Sequence, residues 1–310
     1  MREMQKVLIV KLGAIGDVVM TLPLLKALKE KEDVHVTWMC GEAPKQLLEK
    51  MGLVDRLLVV DEKKLLKGSF FQKCLFVWGV WKKLKCARFD LIIVAHADPR
   101  YRLLTFFNRG EKRFFRPQKG IYHAKEYLKL GGEEDSISYP QMFSNPKEHF
   151  IAIAPGGAKN VLADDMLRRW PMTHYRALIE LLTQKGYKVV VTGAETDTWC
   201  LPYLEGLAFE NLIGKKNLIE LIEVYSKASC LITHDSGPFH LAKIAGCPCL
   251  GLFGPTNPLE RTSNNFFIWG GENLPCRPCY DGKKFAPCQN NLCLKRISPQ
   301  QVFEKILTII

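Results

Sequence analysis

Cys230-Leu231-Ile232-Thr233-His234-Asp235-Ser236-Gly237-Pro238-Phe239-His240-Leu241 reads as a buried strand that runs directly into a helix. The apolar run from Cys230 to Thr233 is the end of a parallel strand, and Asp235, Ser236 and Gly237 form the turn. Pro238 suits the first helical position, and Leu241, Ile244 and Ala245 carry the helix to a stop at Gly246. The first amides of such a helix lack intrahelical partners, and its dipole adds positive potential. The turn is therefore a candidate site for a phosphate or diphosphate, and a nucleotide-linked substrate is expected.

The same alternation of strand and helix runs through the whole chain, the pattern of parallel sheets covered by helices. Strands are expected over 6–10, 34–39, 56–60, 91–95 and 112–115, then 150–154, 188–192, 211–213, 230–233 and 248–253. Helices are expected over 18–31, 43–51 and 71–85, then 172–185, 198–205, 218–226 and 238–245. Residues 136–148 lack periodicity and contain Pro140, Asn145 and Pro146, which marks a linker. The fold class expected is α/β, with two doubly wound Rossmann-like domains, over 1–145 and 146–297, facing across a cleft. The last residues, 298–310, form a helix expected to pack back on the first domain.

At 310 residues the chain is comfortable for two domains, and its 47% hydrophobic content is that of a folded soluble protein. Its apolar runs are all shorter than the ~20 residues that span a bilayer. Val7-Leu8-Ile9-Val10 is too short for a signal peptide and leads into a Gly-rich loop, so a cytoplasmic protein is expected. Eleven cysteines, an odd number in a long chain, argue against a disulfide framework.

The net charge of +12 is unevenly placed. Residues 63–88 hold eight Lys/Arg and no acid, and residues 100–125 hold eight more with Glu111 as the one acid. Both blocks are laced with aromatics, including Phe70, Phe71, Trp78 and Trp81, then Phe106, Phe107 and Phe114. Such a mixture suits an anionic membrane surface or a phosphorylated lipid. A solvated basic face over buried aromatics is the plainer alternative, and nucleic acid lacks a supporting motif.

Four loops at strand ends carry the candidate chemistry. Lys11-Leu12-Gly13-Ala14-Ile15-Gly16-Asp17 is the first, with two glycines that allow close backbone approach. Asp17 is either an N-cap that accepts amide hydrogen bonds or a general base. In the second, Pro155-Gly156-Gly157 is followed by Arg168-Arg169-Trp170-Pro171, where small residues admit phosphate oxygens and an arginine neutralises them. In the third, Gly193-Ala194-Glu195, the carboxylate either binds ribose hydroxyls or complements a helix dipole. The fourth is the Asp235–His240 turn, with His240 one turn into the helix.

Taken in order, Gly16-Asp17-Val18-Val19-Met20-Thr21-Leu22-Pro23, Pro155-Gly156-Gly157, Arg169-Trp170-Pro171, Gly193-Ala194-Glu195, Asp235-Ser236-Gly237-Pro238-Phe239-His240-Leu241 and Phe253-Gly254-Pro255-Thr256 resemble glycosyltransferase family 9, nearly end to end. These are the ADP-heptose:lipopolysaccharide heptosyltransferases. The resemblance implies a GT-B fold and inverting transfer of heptose from ADP-heptose to the lipopolysaccharide inner core, with no cofactor required for catalysis. The acceptor would be Kdo-lipid A or heptosyl-Kdo-lipid A, a phosphorylated precursor at the cytoplasmic face of the inner membrane. Asp17 would be the catalytic base. Gly156, Gly157, Arg168, Glu195, Asp235, Ser236, Gly237, His240 and Thr256 would bind the donor, and Lys11, Gly13, Asp98 and Arg100 the acceptor. Where the family often carries Lys two residues before the Trp-Pro pair, this chain carries Arg168. A same-fold transferase with another nucleotide-sugar donor and a non-catalytic nucleotide-sugar or lipid-binding protein are the competing readings.

Cys276, Cys279, Cys288 and Cys293 give a C-x2-C-x8-C-x4-C spacing, close to that of a structural zinc site. A zinc there is one expectation; four unligated thiols in a surface loop are the other.

Overall fold

Chain contacts separate two units, Met1–Pro140 and Gln141–Ile310. This computed structural model describes residues 4–133, 137–158, 164–264, 266–270, 274–276, 279, 285 and 287–310. The boundary falls five residues before the expected one, because the linker is bonded into the second unit. Gln141 Nε2 donates to Lys243 O at 3.0 Å, Met142 N to Ile244 O at 2.9 Å, and Asn145 Nδ2 to Ser226 Oγ at 2.8 Å.

The first unit holds a five-stranded sheet in the order β3-β2-β1-β4-β5, parallel throughout. Its strands are β1 (Gln5–Val10), β2 (Val34–Cys40), β3 (Arg56–Val59), β4 (Leu91–Val94) and β5 (Glu111–Phe114). Its helices are α1 (Ile15–Lys29), α2 (Lys45–Met51), α3 (Glu62–Leu66), α4 (Phe70–Leu84) and α5 (His123–Leu130). β1 is central, and the chain order reverses there, so the loops after β1 and β4 open at the carboxyl edge where such sheets bind ligands. Leu8, Val10 and Leu12 join Ile92, Val94, Val80 and Leu84 in its core, the near-continuous apolar composition of a sheet buried on both faces.

The second unit holds six parallel strands in the order β11-β10-β9-β6-β7-β8. They are β6 (Glu148–Ala154), β7 (Lys188–Val191), β8 (Glu210–Asn211), β9 (Ala228–His234), β10 (Cys249–Phe253) and β11 (Phe267–Trp269). Its helices are α6 (Met172–Gln184), α7 (Leu218–Lys227), α8 (Gly237–Ile244), α9 (Leu292–Lys295) and α10 (Pro299–Leu307). The 3-10 helix Glu195–Leu204 stands where an α-helix is expected over 198–205; Pro202 inside it denies the amide that an α-helix would need. Here the order reverses at β6, which gathers the loops after β6, β7 and β9.

Val302, Phe303 and Ile306 of α10 pack into the core of the second unit against α6, covering its apolar stripe of Tyr175, Leu178, Ile179 and Leu182.

Candidate functional site

In the first unit, β1 ends at Val10 and α1 begins at Ile15 after Ala14, whose φ of 51° turns the chain sharply. Asp17 is thus the third residue of the helix, where an acid complements the dipole, and Ala14 holds the capping position. The Asp17 carboxylate is 41% exposed and lies 3.4 Å from Lys11 Nζ. That ammonium is buried under the loop, donating to Ala95 O at 2.8 Å and to Tyr127 Oη at 3.1 Å. Burial opposes its charge, but Asp17 and Tyr127 override the penalty and raise the Lys11 pKa above its ordinary value. Lys11 is therefore placed as the floor beneath Asp17.

The rest of this loop is fixed from behind. Leu12 N donates to His96 Nε2 at 2.9 Å, so the residue after β4 reads the loop after β1. His96 stacks on Tyr101 at 3.6 Å, and Tyr101 Oη donates to the Glu62 carboxylate. Burial, with Lys11 beside it, holds the His96 pKa well below the usual range. Burial raises that of Glu62, although Tyr101 and Lys11 oppose the shift. Gly13 lies so close to Glu62 that a Cβ would overlap the carboxylate, which accounts for glycine there. Asp98 caps the 3-10 turn Pro99–Thr105, accepting from Arg100 N at 2.9 Å. It also holds the Arg100 guanidinium, through Nε at 2.8 Å and Nη2 at 2.5 Å, so these two residues form a pair.

The second unit brings together most of the expected donor residues. Asp197 accepts from Gly157 N and from Ala194 N, each at 2.9 Å, and so ties the loop after β6 to the loop after β7. Gly156 bears directly on Asp197; a Cβ there would overlap its carboxyl group. Arg169 donates to Gly157 O through Nε at 3.0 Å and Nη2 at 2.8 Å, and its guanidinium lies 5.0 Å from the centre of the Trp199 ring. A Cβ on Gly157 would sit 3.3 Å from Ser236 Cβ, so this loop meets the start of α8.

At that start, Ser236 occupies the capping position with no side-chain cap bond; its Oγ lies 3.2 Å from Thr233 Oγ1. The side of Gly237 where a Cβ would project meets no described atom within 4 Å. Asp235 is 2% exposed, and Arg168 Nη1 stands 3.5 Å from its Oδ2. Burial alone would raise the Asp235 pKa, yet Arg168, Arg261 and His240 bring it down to about 2. Arg168 also pairs with Asp165 at 2.9 Å, and its Nε is buried without a hydrogen bond among the described residues. Thr256 is buried just after β10, and Glu195 is exposed at the start of its 3-10 helix.

Several residues that shape these loops carried no assigned role in the sequence: Tyr127, Glu62 and Tyr101 around Asp17, then Asp197, His234 and Arg261 around Asp235. His234 is fully buried with Nδ1 3.1 Å from Tyr175 Oη, and burial, then Arg168, takes its pKa down to about 3. Asp197 had one sequence signal, an acid three residues past Ala194 where a reciprocal capping bond is possible. The others are joined by long-range contacts with no local pattern.

The zinc expectation is corrected. Among the described residues no three His, Cys, Asp or Glu side chains come together to hold a metal. Cys293 is buried in the core of the second unit, Cys276 and Cys288 are exposed, and Asn291 N donates to Cys288 Sγ at 3.4 Å. A structural zinc needs its ligands gathered at about 2.0–2.3 Å around one point, and among the described residues these thiols are not so gathered.

With this geometry in view, comparison with known proteins is direct. The family model described as glycosyltransferase family 9 (heptosyltransferase) matches residues 112–288. Lipopolysaccharide heptosyltransferase 1 of Pseudomonas aeruginosa is similar at 23% identity over 346 residues, covering 96% of this chain and 96% of that protein. The structure of a family 9 glycosyl transferase from Veillonella parvula superposes with a TM-score of 0.76 at 22% identity, covering 99% of this chain and 97% of that one. Heptosyltransferase WaaC of E. coli, solved with ADP-2-deoxy-2-fluoro heptose, gives a TM-score of 0.73 at 20% identity, with coverage of 98% and 99%. Both likenesses support the GT-B fold for the two parallel-sheet units.

Proposed function

This chain belongs to glycosyltransferase family 9, and on that premise we propose that it moves heptose from ADP-heptose to the lipopolysaccharide inner core with inversion. The observation that carries the reading is the start of α8. Uncapped amides open beside Gly237, and Arg168 stands over Asp235 with an unused buried N–H. A diphosphate supplies the negative charge and the acceptor oxygens that this arrangement lacks.

The acceptor hydroxyl gives its proton to the Asp17 carboxylate as its oxygen bonds to the anomeric carbon of heptose. The bond from that carbon to the diphosphate breaks, and ADP leaves with the electron pair. Amides at the start of α8 and the Arg168 guanidinium take up the developing charge, with Gly156, Gly157, Ser236, His240 and Thr256 lining the same donor side. Glu195 receives the ribose hydroxyls. Lys11 holds Asp17 in place from below. Gly13 seats the first loop against Glu62 beside the acceptor, and the Asp98–Arg100 pair contributes at its edge. The acceptor is Kdo-lipid A or heptosyl-Kdo-lipid A, met by a protein peripheral on the cytoplasmic face of the inner membrane.

The test incubates the protein with ADP-heptose and each of the two acceptors, followed by mass spectrometry. A heptose-sized gain on one acceptor supports the reading and identifies the step. Absence of a gain on both, with UDP-sugars bound more tightly than ADP-heptose in calorimetry, replaces the donor.

A further inference from the structure

The basic, aromatic stretch that spans α4 and the 3-10 turn Pro99–Thr105 has a surface that heptose transfer leaves unused. Most of its aromatics could have been core residues; the structure instead turns them outward. Phe70 is 83% exposed, Phe71 71%, Phe107 68%, Phe106 61% and Trp78 58%. Val80 and Leu84 alone are buried along α4, so this helix carries one apolar face inward and a second apolar stripe, Phe71, Leu75 and Trp78, outward.

This face is built rather than loose. Ser69 and Gln72 close a reciprocal capping box at 3.3 Å and 2.9 Å, which fixes the first turn and the projection of Phe70 and Phe71. Trp81 Nε1 donates to Leu103 O at 2.7 Å, and the Trp81 ring meets Phe107 edge-on at 4.5 Å. A surface cavity of about 680 Å³ opens between them, lined by Trp78, Trp81, Lys82, Lys85, Phe107 and Asn108.

Cations rim the aromatics. Lys82 Nζ stands 5.6 Å from the Trp78 ring centre, Lys85 lines the cavity, and Lys112 Nζ donates to Phe106 O at 3.0 Å. Glu111, the acid of the second basic block, is occupied by Arg113 at 2.7 Å. Among the described residues no helix is long and apolar enough to cross a membrane.

We propose that this face docks on an anionic phospholipid surface, with Phe70, Phe71 and Trp78 entering the headgroup boundary and Lys82, Lys85 and Lys112 meeting lipid phosphates. A protein partner fits less well, because protein interfaces are depleted in lysine. Nucleic acid fits less well too: base stacking needs open parallel rings, whereas Phe106, Phe107 and Trp81 meet edge to face and Lys82 covers Trp78. Aromatic insertion combined with lysine attraction is the signature of binding at a lipid interface. Its use in catalysis rests on the lipid-linked acceptor proposed above; the surface itself rests on the exposed residues.

The experiment is vesicle co-sedimentation of the full chain without donor or acceptor. Vesicles of phosphatidylcholine alone are compared with phosphatidylcholine mixed with phosphatidylglycerol, at low and high salt. Wild type is expected on the anionic vesicles, with binding weakened by salt. The double variant Phe71→Ser, Trp78→Ser is expected to bind about tenfold less while circular dichroism and heptose transfer to a deacylated acceptor stay at wild-type level. Equal binding to both vesicles, undiminished binding by the variant, or displacement by an oligonucleotide overturns the proposal. A protein that docks yet transfers no heptose leaves the surface standing and removes the donor reading instead.

Discussion

Lys11 carries a buried charge whose partners are Asp17, Tyr127 and the Ala95 carbonyl, and its raised pKa records how firmly they hold it. A raised lysine pKa adds stability below the unfolded value of 10.5 that is lost only as pH climbs above it, so this contribution is constant through the neutral range. Replacing Lys11 by Met leaves a buried carbonyl and hydroxyl unmatched. A lower kcat with ADP binding retained is expected, read by steady-state kinetics beside calorimetry. Asp17→Asn keeps the shape of the loop and removes its ability to accept a proton; transfer should fall by about 10²–10⁴ with ADP-heptose binding intact. Full activity in that variant would falsify the assignment of Asp17 as base. Arg168→Ala removes a cation 3.5 Å from a buried carboxylate, and a loss of about 3 kcal/mol in the stability of the second unit is expected in urea unfolding. ADP affinity should fall with it.

At the scale of elements, two of the loops on the proposed donor side are stapled by one side chain. Asp197 receives amides from the loops after β6 and β7, and Gly156 leaves room for it. Gly156→Ala drives a methyl group into that carboxyl group, at a cost of about 1–3 kcal/mol by thermal unfolding, together with weaker ADP binding in calorimetry. Unchanged affinity would mean that the staple does not position the donor loop. This contact explains why Gly156 reads from the sequence only as a small residue near a phosphate: its tightest neighbour lies 41 positions away by number. The helices show the same limit. Pro238 and Gly246 marked α8 correctly to within a residue, because their effects on backbone dihedrals are local. The helix over 298–310 was equally visible, but the element it packs on, α6, was not.

For the whole molecule, acid is the informative perturbation. His234 and His96 are buried as neutral rings, with pKa values of about 3 and well below 6.5, whereas an unfolded chain would bind protons there near 6.5. Depressed histidine values mean that stability falls as pH drops below 6.5, by about 1.4 kcal/mol per pH unit for each ring. Asp235, lowered from 3.8 to about 2, adds a further loss in the same direction between those values. Denaturant midpoints followed from neutral pH into acid should decline with this slope, and His234→Gln should flatten it by one proton; a slope unchanged in that variant removes His234 from the balance. By itself the sequence determined two successive parallel α/β units, the order of the loops after their strands and the family. Strand period, helix stops and the glycine-rich turns are set by residues a few positions apart. Only the tertiary structure decided that Lys11 lies beneath Asp17, that Asp197 joins two loops, that the cysteines do not converge and that the α4 aromatics face outward. Each depends on which distant residue fills the adjoining space, and burial and packing are properties of the folded chain that no local spacing encodes.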